Sequence, residues 1–266
     1  MLKDITIGQF FPGNSIVHRL DPRFKIVITG VFITFLFCAE NFYGILFGML
    51  FVALTVLLSK IPIKMIFKGM KSIIPLIIFT SVLNIFFIEG EILFSWQFIK
   101  ITKEGLETSL FMILRIICLI SGTSLLTYTT SPITLTDAIE QLLSPLKKVK
   151  MPVHEFAMMM TIALRFIPTL IEETDKIMSA QKARGADLET GGLIKRAKAL
   201  VPILIPLFVS AFRRAEELAV AMECRCYRGD EGRTRLKQLK SGGKDYIALA
   251  LSLFFLDVVI FFNCIF

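Results

Sequence analysis

Residues 42–59 read FYGILFGMLFVALTVLLS, a run without a single charged side chain. At a rise of about 1.5 Å per residue, a helix over that run is about 27 Å long, close to the hydrocarbon thickness of a bilayer. The rest of the chain has the same character. Hydrophobic residues make up 55% of the 266, phenylalanine accounts for 25, and mean hydropathy is +0.70, beyond what a soluble domain carries. This composition belongs to an integral membrane protein.

Four further apolar runs accompany the first. Phe24 to Ala39 is short for a crossing, so it either spans with Lys25 snorkelling at one end or dips in without crossing. Ile73 to Ile88 carries Pro75 near its start, Leu106 to Tyr128 follows, and Tyr246 to Phe266 is interrupted by Asp257. The expected fold class is all-α: a polytopic membrane protein of about five transmembrane helices with a helical domain beside them. Met1 to Arg23 carries Gly, Pro and scattered charges where a cleavable signal needs a short apolar core, so this segment is expected to stay on the mature protein.

Charged residues still amount to 20% of the chain and gather mostly between Asp137 and Asp245, which requires a sizeable water-exposed part. The formal net charge of +8 follows from the accumulation of Lys and Arg in cytoplasmic loops, and no stacking platform or recognition-helix motif argues for nucleic acid. Arg19, Arg23 and Lys25 precede the first run, and Lys60, Lys64, Lys68 and Lys71 fill the loop between the second and third. Both regions are therefore expected in the cytoplasm, with the Glu40-Asn41 turn and the Glu89 to Glu104 loop outside. Three segments follow: 1–130, a membrane domain of four helices; 131–244, a cytoplasmic block of long amphipathic helices; and 245–266, a final transmembrane helix.

Inside the block the period becomes helical. Phe156, Met160, Ala163, Ile167 and Leu170 recur at helix spacing from Pro152 onward, and the pattern runs to Arg184 with Pro168 as the bend. Gly191-Gly192 breaks the chain, and Leu193 to Cys224 makes a second long helix carrying Pro202 and Pro206, with Arg213, Arg214, Glu216 and Glu217 near its end. A shorter helix, Thr134 to Leu143, takes Thr134 or Thr136 as its N-cap and stops at Ser144-Pro145.

Each long helix closes on an arginine between small residues: Ala183-Arg184-Gly185 and Cys224-Arg225-Cys226. An arginine on the end of a rigid helix grips a carboxylate through a planar fork of donors, and small flanks let another backbone approach. The plainer reading is a helical bundle with Met158-Met159-Met160 as filler and the arginines as solvated ends. Long apolar faces rich in methionine equally suit a surface that re-packs against a partner.

Little else carries chemistry. Cys38, Cys118 and Cys264 lie in apolar runs as small hydrophobes, Cys224 and Cys226 read as reduced thiols, and neither His18 nor His154 has a ligand-spaced partner. Asn84, Arg115 and Asp257 stand singly within spans, as packing anchors or as sites. A stand-alone secondary transporter would show inverted repeats with broken helices, and a membrane-embedded enzyme a nucleophile, carboxylate or metal constellation; neither pattern is found. No phosphate-cradling loop of the Walker type is found either, so any ATP is hydrolysed elsewhere.

Three stretches together resemble one family. Ile7-Gly8-Gln9-Phe10 with Pro12-Gly13 and His18-Arg19-Leu20-Asp21-Pro22-Arg23-Phe24-Lys25 looks like the opening of the transmembrane coupling subunit, the T component, of energy-coupling-factor vitamin transporters. Gln181-Lys182-Ala183-Arg184-Gly185 and Ala221-Met222-Glu223-Cys224-Arg225-Cys226-Tyr227-Arg228-Gly229 resemble that family's two arginine signatures, with Cys224 where the first small residue is often alanine. The resemblance implies a multi-pass subunit of a prokaryotic plasma membrane, related to ABC transporters. It has two ABC-type ATPase subunits and a separate substrate-binding membrane subunit, the S component, as partners, and membrane lipid around it. It implies no enzyme activity and no cofactor of its own, ATP being bound by the ATPases. Ala183, Arg184, Gly185, Cys224, Arg225 and Cys226 then inherit the ATPase-coupling role, one signature per ATPase. The opening motif is nearer to the version shared among several substrate-binding subunits than to those dedicated to cobalt, nickel or biotin.

Overall fold

The computed structural model describes residues 10–96, 99–149, 151–186, 192–229 and 239–265. In chain order the elements are α1 (Ile16–Arg19), α2 (Pro22–Cys38), α3 (Phe42–Ser59), α4 (Ile63–Lys71), α5 (Ile74–Phe87), β1 (Ile92–Trp96), β2 (Ile99–Thr102), α6 (Lys103–Thr129), α7 (Pro132–Leu142), a 3-10 turn (Ser144–Val149), α8 (Val153–Ala183), α9 (Leu193–Cys224) and α10 (Gly243–Ile265). The protein is an all-α membrane protein with one small hairpin. Gly8–Ala138 with Gln238–Phe266 forms one compact unit, and Ile139–Lys237 forms another.

Two of the expected helices, α3 and α9, match their predicted bounds residue for residue. Among the described residues α3, α6 and α8 are long and apolar enough to cross a membrane, and α4 with α5 passes the same test as a pair bent by 63°. α8 was expected to lie in the cytoplasm as an amphipathic helix, and it is the least apolar of the three. Alone, α5 has 14 residues, about 21 Å, which falls short of a bilayer.

Several expectations are corrected. The lysine-bearing stretch after α3 is not a loop: Lys64, Lys68 and Lys71 sit at helical spacing on α4, and Lys60 is the C-cap of α3. Glu89 to Glu104 is not a plain loop either, since β1 and β2 pair antiparallel with Trp96 opposite Ile99. The N-cap of α7 is neither threonine. Ser131 precedes Pro132, whose fixed φ suits the first helical position, and the Ser131 Oγ accepts from the Thr134 amide at 3.3 Å. Ile7-Gly8-Gln9 of the opening motif and Gly191 lie outside the described residues, while Gly192 precedes α9 as its N-cap.

The core of the membrane unit forms where α2, α3, α6 and α10 meet. Phe32, Phe35, Leu36, Ile45, Cys118 and Val259 are buried together. The Phe51 ring stacks on Phe32 at 5.3 Å and stands edge-on to Phe255 at 5.4 Å. Close helix approach depends on Gly122: a Cβ there would lie 2.2 Å from the Phe32 ring. In lipid such packing replaces the hydrophobic drive as the source of helix association. Arg115 serves the same end. Its guanidinium donates to the Ala39 carbonyl and lies 4.6 Å from the Phe111 ring centre, so this arginine is a packing anchor.

The opening motif folds into a polar knot at one end of this unit. Lys25 does not snorkel towards water; it is buried, and its Nζ donates to the carbonyls of His18 at 3.2 Å and Thr129 at 3.0 Å and to the Thr130 Oγ1 at 3.3 Å. Those acceptors lie at the ends of α1 and α6. The His18 ring bridges the Ser15 Oγ at 2.6 Å and the Phe11 carbonyl at 3.0 Å, and the Phe11 amide donates to the Tyr128 carbonyl. Asp21 caps α2 and pairs with Arg23 at 2.7 Å. Burial lifts the Asp21 carboxyl, yet the hydrogen bonds from Arg23 outweigh it and hold the group below the usual carboxylate range. That contribution to stability is present above the ordinary aspartate range and is lost as pH falls through the lowered value.

Asp245 closes the knot from α10, accepting from the Asp21 amide at 2.8 Å and the Gly242 amide at 2.7 Å. Removing a buried acceptor strands its donors at about 1–3 kcal/mol. Asp245→Ala is therefore expected to lower the melting temperature of the purified protein in detergent, and Asp245→Asn, which keeps one acceptor oxygen, to lower it less. Equal melting curves for all three proteins would remove the knot from the account.

Candidate functional site

The Ile139–Lys237 unit is built on α8 and α9. The two run antiparallel, because Glu173 of α8 meets Ser210 and Arg214 of α9 while Gln181, further along α8, meets the earlier Pro202. The Ser210 Oγ donates to the Glu173 carboxylate, which also pairs with Arg214 at 3.1 Å. Gln181 Nε2 reaches the Pro202 carbonyl at 3.5 Å, the long limit for such a bond. That carbonyl is free because Pro206, four residues on, has no amide hydrogen to give it. The prolines of α9 thus open a docking point for α8.

Each helix ends in the same construction. In α8 the Gly185 amide donates to the Lys182 carbonyl and the Ala186 amide to the Gln181 carbonyl, both at 3.0 Å. In α9 the Cys226 amide donates to Glu223 at 2.9 Å and the Tyr227 amide to Met222 at 3.1 Å. This is the Schellman pattern, a 6→1 bond enclosing a 5→2 bond, and it places Arg184 and Arg225 at the C-cap of their helices. Their backbones agree closely, φ −84° and ψ 6° against φ −92° and ψ 13°. The residue after each arginine takes the left-handed conformation, Gly185 at φ +86° and Cys226 at φ +56°.

This changes the reading of the small flanks. Gly185 is needed for its φ: a Cβ there would meet nothing within 4 Å. Cysteine at the equivalent place costs about 1 kcal/mol relative to glycine. Cys226→Gly is accordingly expected to slow hydrogen exchange of the Cys226 and Tyr227 amides severalfold, and Gly185→Ala to speed exchange of the Gly185 and Ala186 amides by a similar factor. Unchanged exchange in both variants would show that backbone conformation does not limit the caps.

Both arginines are exposed, as are Ala183, Cys224 and Cys226, and among the described residues neither guanidinium is paired with a carboxylate. A cation at an exposed helix C-terminus is stabilised by the macrodipole by about 1 kcal/mol at most, which holds it without neutralising it. The 31 residues of α8 span about 46 Å. The chain after α9 comes back to the start of α8, where a side chain at Gly229 would lie 3.8 Å from the Glu155 carboxylate. The structure therefore brings each trio together in one cap and sets the two caps at opposite ends of the helix pair.

Between the caps the apolar faces stay open. Phe156, Met159 and Met160 on α8 and Phe208 and Phe212 on α9 are exposed, and within α8 only Val153 and Ala157 are buried. An interior bundle with the Met158-Met159-Met160 run as filler is not what forms. The clasp of Glu173 with Ser210 and Arg214 escaped the sequence reading. Its one signal was Ser210 and Arg214 at i and i+4, on one face of α9. His154 is structural, its Nδ1 lying 2.9 Å from the Glu140 carboxylate. Among the described residues no three His, Cys, Asp or Glu side chains converge on a metal-sized site, and Cys118, Cys224 and Cys226 are free thiols.

Comparison with known proteins bears on this arrangement. Residues 13–236 match the model of the CbiQ family, described as cobalt transport protein. The chain is 54% identical over 266 residues to the energy-coupling factor transporter transmembrane protein EcfT of Ruminiclostridium cellulolyticum, covering all of both chains. It is 58% identical over 250 residues to the protein of that name from Clostridium kluyveri, 93% of each chain, and 50% identical over 263 residues to that from Bacillus subtilis, 98% of this chain and 99% of the other.

Proposed function

The chain belongs to the CbiQ family and, with its relatives, to the transmembrane proteins of energy-coupling factor transporters, and from that membership we propose that it couples ATP hydrolysis in two partner ATPases to a separate substrate-binding membrane subunit. It is a non-enzymatic membrane subunit of a transporter. In the proposed cycle it needs no cofactor, ATP being held by the ATPases in the prokaryotic cytoplasm, and Arg184 and Arg225 each enter an acidic groove on one ATPase. Closure of the ATPase dimer on ATP moves the grooves relative to each other, and the two stiff helices carry that displacement to the open apolar faces, on which the S component rests. Segment 131–244 works on the cytoplasmic side, and the module serves several micronutrient-binding subunits in turn.

The observation that supports this best is the repeated cap: two arginines in one backbone geometry at opposite ends of an antiparallel pair. A plain bundle has no use for the repetition, whereas two equivalent partners need two equivalent contacts. The direct experiment is purification of the tagged chain from its native membrane. Two ATPases and a small integral membrane protein are expected to accompany it, and recovery of the chain alone from gently solubilised membranes would refute the proposal.

A further inference from the structure

The amphipathic helix α4 plays no part in the coupling reading. From residue 41 to residue 88 the sequence holds no Asp or Glu, yet it holds Lys60, Lys64, Lys68 and Lys71. All four are exposed, and among the described residues none is paired with a carboxylate. At about 100° per residue, α4 divides into three sectors. One faces the protein: Ile66 is buried against Leu125 and Tyr128, with Met65 and Met70 beside it. The second presents Lys64, Lys68 and Lys71. Between them lies a third, apolar but open, with Ile63 59% and Phe67 64% exposed.

The position of α4 is set as well. The Tyr128 hydroxyl donates to the Met65 carbonyl at 3.2 Å, which fixes α4 beside the last turn of α6, a helix of 27 residues and about 40 Å that is long and apolar enough to cross the bilayer. The 63° bend between α4 and α5 turns α4 out of line with the apolar α5. α4 therefore lies along the bilayer boundary, level with the polar knot that holds Arg23 and Lys25. An apolar strip flanked by lysines at that depth matches the two layers of a lipid surface: acyl chains beneath, phosphates above, with lysine stems reaching from one to the other.

We propose that α4 is a docking site for anionic phospholipid headgroups, with Lys64, Lys68 and Lys71 on the phosphates and Ile63 and Phe67 among the acyl chains. The site fastens the broken α4–α5 pair to one leaflet. It does not depend on the coupling reading and can fail without it.

The full-length protein is purified in a neutral detergent and mixed with phosphatidylglycerol or phosphatidylcholine of identical acyl chains, and the lipids retained are counted by native mass spectrometry. A basic residue near an anionic surface changes binding by about fivefold. The preference for phosphatidylglycerol is expected to fall at least about tenfold in Lys64→Gln/Lys68→Gln/Lys71→Gln and to survive in the triple arginine variant. Phe67→Ser is expected to weaken retention of both lipids alike. An undiminished preference in the glutamine variant overturns the proposal, as does a wild-type protein without preference. Loss of co-purifying ATPases with lipid retention unchanged also overturns it, and assigns the lysines to a protein surface.

Discussion

Arg184→Glu and Arg225→Glu are each expected to abolish uptake while the protein still inserts and its long helices still form. Removing one member of a desolvated, hydrogen-bonded charge pair costs about 2–5 kcal/mol, and reversing the sign adds repulsion. The local cost to the helix is smaller. A carboxylate at an exposed C-cap opposes the macrodipole by about 1 kcal/mol at most, so the fold survives. The Schellman bonds are made by backbone groups alone, which keeps the cap in place whatever side chain it carries. Lysine is expected to restore transport only in part, since it brings the charge without the planar fork. Uptake by whole cells and protein level in the membrane are measured side by side. Wild-type uptake in the double charge-reversal variant, with normal assembly, would end the coupling role.

A charge placed on the open faces is expected to act on a different partner. Met160→Asp and Phe208→Asp each put a carboxylate where the side chain is already solvent-accessible within this chain, so the folded subunit loses about 0.5 kcal/mol or less. If the S component packs on these faces, the same carboxylate becomes a buried unpaired ion there, and association falls by several kcal/mol, about a hundredfold or more. Parallel pull-downs from one membrane preparation separate the cases. Capture of the S component is expected to collapse and capture of the ATPases to persist. Joint loss of both partners with the protein itself would mean that these residues are interior after all.

Much of this architecture could be read from the chain, because it is local. α3 and α9 were legible from apolar length and helical period, and both arginine trios from their place at helix ends. What escaped depends on contacts distant in sequence or on weak local signals. Snorkelling was one of two placements expected for Lys25, since no carboxylate partner follows it in its run; two of its three acceptors lie at Thr129 and Thr130, more than a hundred residues on. The lysines of α4 carried helical spacing but were read as loop, because charge dominates a short segment between two apolar ones. The hairpin of β1 and β2 is too short for its alternation to stand out. In the caps, glycine after Arg184 signals a left-handed residue, whereas cysteine after Arg225 does not, because cysteine has no preference for that region. The equivalence emerged only from the matching hydrogen bonds.

The native thiols beside Arg225 allow the coupling contact itself to be tested. With Cys38, Cys118 and Cys264 replaced by alanine, Cys224 and Cys226 remain, both exposed in the isolated chain at the C-terminal end of α9. Labelling with a membrane-impermeant maleimide is followed in intact cells, in permeabilised cells without the ATPases, and in permeabilised cells with both ATPases present. No labelling is expected in intact cells, with rapid labelling after permeabilisation and strong protection once the ATPases are bound. Labelling from outside intact cells would place the second arginine on the wrong side of the membrane for any ATPase, and equally rapid labelling with the ATPases bound would show that they do not close over Arg225.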